Sequence, residues 1–477
     1  MKITKITLRN FHAFKYECEI DLPKGRNLLL YGENGSGKSS LYQALNLCLA
    51  PATLIGDHKN IFVTTNDGFV KLEIGDGANP PDKLEWDETS HPYTQALIVE
   101  ASKTKGFLDY RSLLETHFVH RRALNVNIFD LLVINLLANI ENPVTHGSFP
   151  RELETIQFEA LKRRAKSRTE KINSILSDYN AGLFARITEL QTKTNDILKL
   201  FDQSVSMKLS VSGTGLSYNP SNQLIENQEI LLTVDYYGQD IPNHHHFLNE
   251  ARLSAIAISI YLGALLLNPP SQLRVLFLDD VLIGLDMSNR LPLLDILEKY
   301  FADWQVILAT FDKVWFDMAW QRVKGLKTWQ QGELYCSHDN ECDIPIYKGN
   351  AEYLNVAKNH LDTGDLRAAA IYIRAAYERE IKHFCDRCNL PVRYCGNPKE
   401  QQAEDFWKVV KAQKRKDGSE LLNATTATDV ELFRSTILNQ LSHTAPVHFA
   451  RIEVEKAHTA IATLKDALQP VKKSDLQ

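Results

Sequence analysis

The sequence predicts an α/β domain with a short inserted helical hairpin, followed by a separate all-α domain. Three observations lead there. RNLLLYG, RVLFLDD and WQVILAT are short, mostly apolar runs of the kind buried in a central sheet, and the first passes through a glycine-rich loop into helical spacing (SSLYQALNLCLA). Residues 151–203 are rich in charge and nearly free of Gly and Pro, with apolar residues at helical spacing. From Ala351 to about Leu468 the helical pattern is almost unbroken.

Taken in order, KITLRNF alternates as a strand does, and between residues 51 and 125 the runs IFVTT, FVKLEI and ALIVE, set among Gly, Pro and Asp turns, read as further strands. The helical stretch that follows reads as two helices broken near Asn180–Gly182, a hairpin projecting from the globular part. Strands return at MKLSVSG and EILLTVDYYG, and a helix runs from Leu248 to about Leu267. The boundaries are then 1–150 for a first lobe, 151–203 for the hairpin, 204–330 for a second lobe, 331–350 for a connector and 351–470 for the helical domain.

The chain's 477 residues are too many for one ordinary core. Its 24% charged and 44% hydrophobic residues describe a globular protein, and a net charge of -5 excludes a basic nucleic-acid coat while leaving local basic patches open. The start, MKITKITLRNF, lacks the continuous apolar run of a signal peptide. The apolar stretch Leu253–Leu267 is short for a membrane span and reads as a buried helix. An odd number of scattered cysteines, seven, favours reduced thiols and a cytoplasmic location without a membrane partner.

Gly32-Glu33-Asn34-Gly35-Ser36-Gly37-Lys38-Ser39 fits GxxxxGK[ST] between an apolar strand and a helix. Glycines let successive N–H groups curl around phosphates, the helix N-terminus adds partial positive charge, and Lys38 reaches phosphate oxygens. Gly32, Asn34, Gly35, Ser36, Gly37, Lys38, Ser39 and Ser40 are thus candidate ATP-binding residues, with the Ser39 hydroxyl a candidate Mg²⁺ ligand. Far downstream, Val275-Leu276-Phe277-Leu278 ends in Asp279-Asp280, which resembles a Walker B element: Asp279 would hold Mg²⁺ and Asp280 would polarise the attacking water. Gly284-Leu285-Asp286 resembles the D-loop of ABC ATPases. Leu248-Asn249-Glu250-Ala251-Arg252, opening a long helix, resembles the ABC signature in the LSEA-type form of short SMC-like bacterial ATPases.

Over residues 1–320 the order of these motifs, with helices inserted between two halves of a nucleotide domain, resembles ABC-type ATPases of the SMC/RecF branch. The resemblance implies an ATP-bound homodimer in which the P-loop of one subunit and the signature of the other (Asn249, Glu250), with Asp286 nearby, enclose the nucleotide. It also implies a Q-loop, sought near Asp109–Tyr110. Two departures stand out: Asp280 replaces the usual Glu, and Phe311, in Thr310-Phe311-Asp312, stands where the family has a switch His.

In the C-terminal region Arg374 and Glu378 lie one helical turn apart, and His443 follows in LNQLSHTAP. This set resembles the HEPN ribonuclease domain of ABC-linked anticodon nucleases, which implies metal-independent RNA cleavage with these three residues as acid, base and cation. The usual HEPN spacing is absent, because Arg434 lies nine positions before His443. A surface ion pair for Arg374–Glu378, and a plain packed helical domain, fit the same residues. The basic run Lys408 to Lys416 fits either an RNA backbone or a solvated helix end. His383, Cys385, Cys388 and Cys395 are zinc-capable, although helical spacing splays them; His244-His245-His246 reads as a polar turn before the signature.

These readings converge on an ATP-hydrolysing head of a bacterial defence (anti-phage) or stress system, sensing nucleic acid and controlling an RNase acting on tRNA or other RNA. Two alternatives stand beside it: an ATPase that docks a separate nuclease or toxin from a neighbouring gene, and a DNA-repair ATPase.

Overall fold

The computed structural model describes residues 1–51, 53–76, 79–114, 126–162, 166–339, 341–349, 353–393, 402–435 and 450–477. The chain forms two compact units, Met1–Gly349 and Asn350–Gln477.

The first unit is built on a six-stranded sheet. Its strands run in the order Asp343–Gly349, Trp329–His338, Asn27–Gly32, Gln305–Thr310, Val275–Asp279, Gly106–Asp109. The five strands from Trp329–His338 to Gly106–Asp109 are parallel; only Asp343–Gly349 pairs antiparallel, at one edge. Every residue of Val275–Asp279 and Gln305–Thr310 is buried, as the unbroken apolar runs require. Alternation sends Leu276, Leu278, Val306 and Leu308 into one core and Val275, Phe277, Ile307 and Ala309 into the other. The second core is closed by the helix Lys38–Cys48 and by a four-stranded antiparallel sheet that includes Lys2–Arg9 and Phe69–Gly75. The first is closed by the helices Lys166–Phe201 and Glu250–Leu265.

Four expectations need correction. The inserted helices do not break near Asn180–Gly182: Lys166–Phe201 is one helix of 36 residues, and the interruption follows the helix Phe149–Ala160. Asn180 is held by Leu216, its Nδ2 donating to the Leu216 carbonyl at 2.9 Å while its Oδ1 accepts the Leu216 N–H at 3.0 Å. A Cβ on Gly182 would stand 1.8 Å from Asn142 Oδ1, so the glycine admits a neighbour rather than ending a helix. Nor does the pair project as a free arm, since residues from Ile172 to Phe201 are buried at helical spacing in the first core. Residues 331–350 are not a connector; Trp329–His338 and Asp343–Gly349 pair antiparallel as the sheet's outer two strands, of which Asp343–Gly349 is the edge and alternates polar residues accordingly. Finally, IFVTT is not a strand, and ALIVE lies in the helix Ala96–Thr104, which buries Ile98 and Ala101 one turn apart.

Among the described residues the second unit is helical, comprising Tyr353–Asp362, Leu366–Arg387, Ala403–Lys411, Ala424–Phe433 and Arg451–Leu468. They enclose a core that includes Ile373, Tyr377, Trp407, Val430 and Ile461. Asp365 and Asn423 cap two of them, accepting from the N–H groups of Ala368 and Thr426. No described helix in either unit is long and apolar enough to cross a membrane.

Candidate nucleotide site

The parallel strands deliver four loops to one edge of the sheet. Gly32, Thr310, Asp279 and Asp109 end adjacent strands, which places the chemistry at the carboxyl ends, where open α/β sheets bind ligands. The loop after Gly32 turns sharply into the helix Lys38–Cys48, whose N-cap is Gly37. Gly37 has a φ of 98°, a left-handed conformation, and a Cβ there would sit 2.8 Å from the Pro345 ring. Gly32 is equally constrained, because a Cβ would lie 2.3 Å from Ser36 Oγ.

Lys38 is buried and folds back over the loop. Its Nζ donates to the carbonyls of Gly32 at 2.8 Å and Glu33 at 3.2 Å, and lies 3.4 Å from Asp280 Oδ2. Ser39 Oγ donates to Asp279 Oδ2 at 2.7 Å. Burial raises the Asp279 carboxyl to about 6, aided by the Asp280 charge and opposed by the Ser39 hydrogen bond. Asp280 is raised too, mainly by burial, with Lys38 pulling the other way. Its φ is 52°, in the left-handed region, and its Oδ1 accepts the Phe311 N–H at 2.9 Å. Asn34 and Gly35 form the exposed tip of the loop, and Ser40 Oγ instead accepts the N–H of Ala13 at 3.3 Å, bracing the loop before it.

The residues present fit a magnesium–triphosphate group. Ser36 Oγ and Asp279 Oδ1 are buried without a hydrogen-bond partner, and nothing lies within 4 Å of the position a Gly35 Cβ would take. A hydroxyl and a carboxylate oxygen side by side are the hard oxygen donors that Mg²⁺ prefers.

The signature-like segment lies at the start of the helix Glu250–Leu265, with Asn249 as N-cap accepting the Arg252 N–H at 3.0 Å. Glu250 is exposed in the first turn. Arg252 pairs with Asp202, just past the long helix, at 2.8 Å. The D-loop packs on the same turn: a Cβ on Gly284 would be 2.1 Å from Ser254 Oγ. Asp286 caps the short helix Met287–Arg290, accepting from Asn289. Asp109 is in register with Asp279 on the neighbouring strand and caps the turn to Ser112. One residue the sequence did not suggest ties these loops together: Arg290 donates to the Leu285 carbonyl at 2.7 Å and to Asp312 Oδ2 at 2.6 Å, joining the D-loop to the switch loop. A lone Arg after the D-loop carries no sequence signal for this; the contact depends on strand order.

In the second unit Arg374 Nε donates to Glu378 Oε1 at 3.0 Å, on the helix Leu366–Arg387. His443 and Cys395 lie outside the described residues. His383 is exposed while Cys385 and Cys388 are buried, their thiols directed at the carbonyls of Phe406 and Val471, so helical spacing splays these three. Lys408, Lys411 and Lys414 pair with Glu404, Glu431 and Glu420, which favours the solvated reading of the basic run. In the histidine triplet, a short helix at His244–Phe247, His244 is buried.

Residues 1–85 match the AAA ATPase domain model. A comparison with curated proteins finds no match. Similar solved structures include the Smc head domain of Pyrococcus furiosus with an extended coiled coil, bound to the C-terminal domain of ScpA, at 13% identity, covering 75% of this chain and 99% of that one, TM-score 0.46. A SmcHead bound to the C-winged helix domain of ScpA is 12% identical over 74% of this chain and 100% of that one, TM-score 0.42. The SMC head domain from Thermotoga maritima is 11% identical over 73% and 99%, TM-score 0.39.

Proposed function

We propose that the first unit is an ATP-hydrolysing head of the ABC type that closes on a second copy of itself around Mg·ATP. The observation that carries this is Ser39 Oγ held 2.7 Å from Asp279 Oδ2 directly beside the buried Lys38. Lys38 exchanges its carbonyl partners for β- and γ-phosphate oxygens. Ser39 and Asp279 would hold Mg²⁺, which would supply charge neutralisation for the phosphates. Asp280 orients the attacking water; its short side chain, fixed by the Phe311 N–H, sets where that water sits. Asn249 and the helix it caps present N–H groups to the γ-phosphate bound by the partner subunit. The test is ATP turnover together with solution mass: Asp280→Asn with Mg·ATP should accumulate as a dimer, and Lys38→Ala should not. A Lys38→Ala protein that binds ATP normally would refute the assignment.

The same proposal makes the C-terminal unit the output of a nucleic-acid-sensing defence or stress ATPase, an RNase acting on tRNA or other RNA. The Arg374–Glu378 pair supports a catalytic output. Glu378 also faces Lys382 at 3.8 Å in an i, i+4 ladder, which supports the docking alternative, with a separate nuclease or toxin as partner. Incubation with total RNA separates them. Discrete fragments lost in both Glu378→Gln and His443→Ala mean self-contained cleavage; RNA cut only once a neighbouring-gene product is added means a docking role; and DNA-stimulated ATP hydrolysis with RNA left intact means a repair ATPase.

A further inference from the structure

We propose that the outer hairpin of the first unit carries a transition-metal site, of the zinc class, formed by Cys336, His338 and Asp343. Cys336 and His338 stand two apart on one strand and so share a face, and His338 is directly opposite Asp343 in the antiparallel register. Their three donor atoms, one sulfur, one nitrogen and one oxygen, lie within 4.8 Å of one another. His338 Nδ1 is 2.5 Å from Asp343 Oδ1. Tetrahedral zinc with bonds of about 2.0–2.3 Å spaces its ligands roughly 3.3–3.6 Å apart, so a small rotation of Cys336 completes the set. Three protein donors of mixed softness suit Zn²⁺ and leave a fourth position to water.

The surroundings argue for these three rather than their neighbours. Asp339 is engaged by Lys15 at 2.8 Å, by the Tyr16 hydroxyl and by the N–H groups of Glu341 and Cys342. Lys15 also pairs with Glu341. Asp343 remains close to Cys336 and His338, and the Cys336 thiol itself donates to the Ser337 carbonyl at 3.8 Å. Metal binding replaces that proton: the thiol gives up H⁺ to solvent and the sulfur takes the metal, so affinity rises with pH. The site also braces the nucleotide loop, because Leu334 O and Pro345 of this hairpin stand against Gly32 and Gly37.

Cobalt(II) is the probe. Titrated into reduced, EDTA-treated full-length protein, it should give a thiolate-to-cobalt charge-transfer band saturating at one equivalent and displaced by Zn²⁺. Cys336→Ser should abolish the band, His338→Ala should weaken binding at least about tenfold, and Cys342→Ser should leave both unchanged. Cobalt held at Ser39 and Asp279 gives no such band, because no sulfur is present there. Alkylation of the wild type gives a second readout that needs no variant: Zn²⁺ should slow modification of Cys336, read by peptide mass. No charge-transfer band with cobalt in large excess, a band that survives Cys336→Ser, or alkylation of Cys336 indifferent to Zn²⁺ would each overturn the site.

Discussion

The main-chain N–H of Phe311 donates to Asp280 Oδ1 across 2.9 Å, joining the two positions at which this chain departs from the pattern its nucleotide motifs resemble. An aspartate where a glutamate is usual, and a phenylalanine where a histidine is usual, thus meet through backbone rather than side chain. Phe311 itself is 40% exposed, so its ring is not what holds Asp280.

Asp280→Asn keeps the shape and the Phe311 contact but removes the charge proposed to polarise water. Turnover should fall about 100-fold or more while the KM for ATP changes only a few-fold. Asp280→Glu is one methylene too long for the Phe311 N–H and should fall short of wild-type turnover. Steady-state ATPase assays check both, and a glutamate variant faster than wild type would show that reach, not this clamp, limits the reaction.

Asp279 carries a stability cost that its proposed role requires. Its folded pKa, about 6, lies above the usual 3.8, so the folded state favours the neutral acid. The contribution is fully present below pH 3.8 and is lost as pH rises through about 6. At pH 7.5, Asp279→Asn should therefore stabilise the nucleotide-free protein, by at most about 3 kcal/mol for a shift of roughly two units. Thermal midpoints measured against pH should converge with wild type near pH 4, while Mg²⁺-dependent hydrolysis is lost.

His244 works in the opposite direction. Burial depresses it from 6.5 to about 4, helped by the neighbouring His245. Between those values the unfolded chain binds a proton that the folded one refuses, so stability falls as pH drops from about 6.5 to 4. His244→Gln should flatten that limb of the stability–pH curve by up to about 3 kcal/mol. An unchanged slope in denaturant melts would mean His244 is not the group responsible.

Gly182→Ala separates a packed helix from a free arm by sign. If the glycine lay on a free helix surface, alanine would stabilise by about 1 kcal/mol. Here the methyl meets Asn142 Oδ1, which itself accepts from the Val144 N–H at 2.9 Å, so a loss of about 1–3 kcal/mol is expected in urea melts.

The same residue shows where the sequence stopped being legible. Gly32 to Ser39 and Val275 to Asp280 could be read because each site element is local: a buried strand, then its loop, within a few residues. Asn180–Gly182 misled because Asn and Gly signal helix ends locally, whereas here both answer to tertiary partners, Leu216 and Asn142. WQQGELYCSH was missed as a strand because it is only partly buried and carries polar residues at Gln330, Gln331, Glu333 and Ser337, so it lacks the unbroken apolar run of the inner strands. Contacts such as Phe311–Asp280 and Arg290–Asp312 depend on Gln305–Thr310 lying between the strands that end in Gly32 and Asp279, an order no local pattern states.

The central claim is a site shared between two copies, and complementation tests it most directly. Lys38→Ala and Asn249→Arg should each be inactive alone. Mixed in equal amounts, half the dimers pair one of each and carry one intact site, so ATPase activity should return to about a quarter of wild type. A mixture as inactive as its components, or an Asn249→Arg protein that hydrolyses ATP normally by itself, would contradict the account.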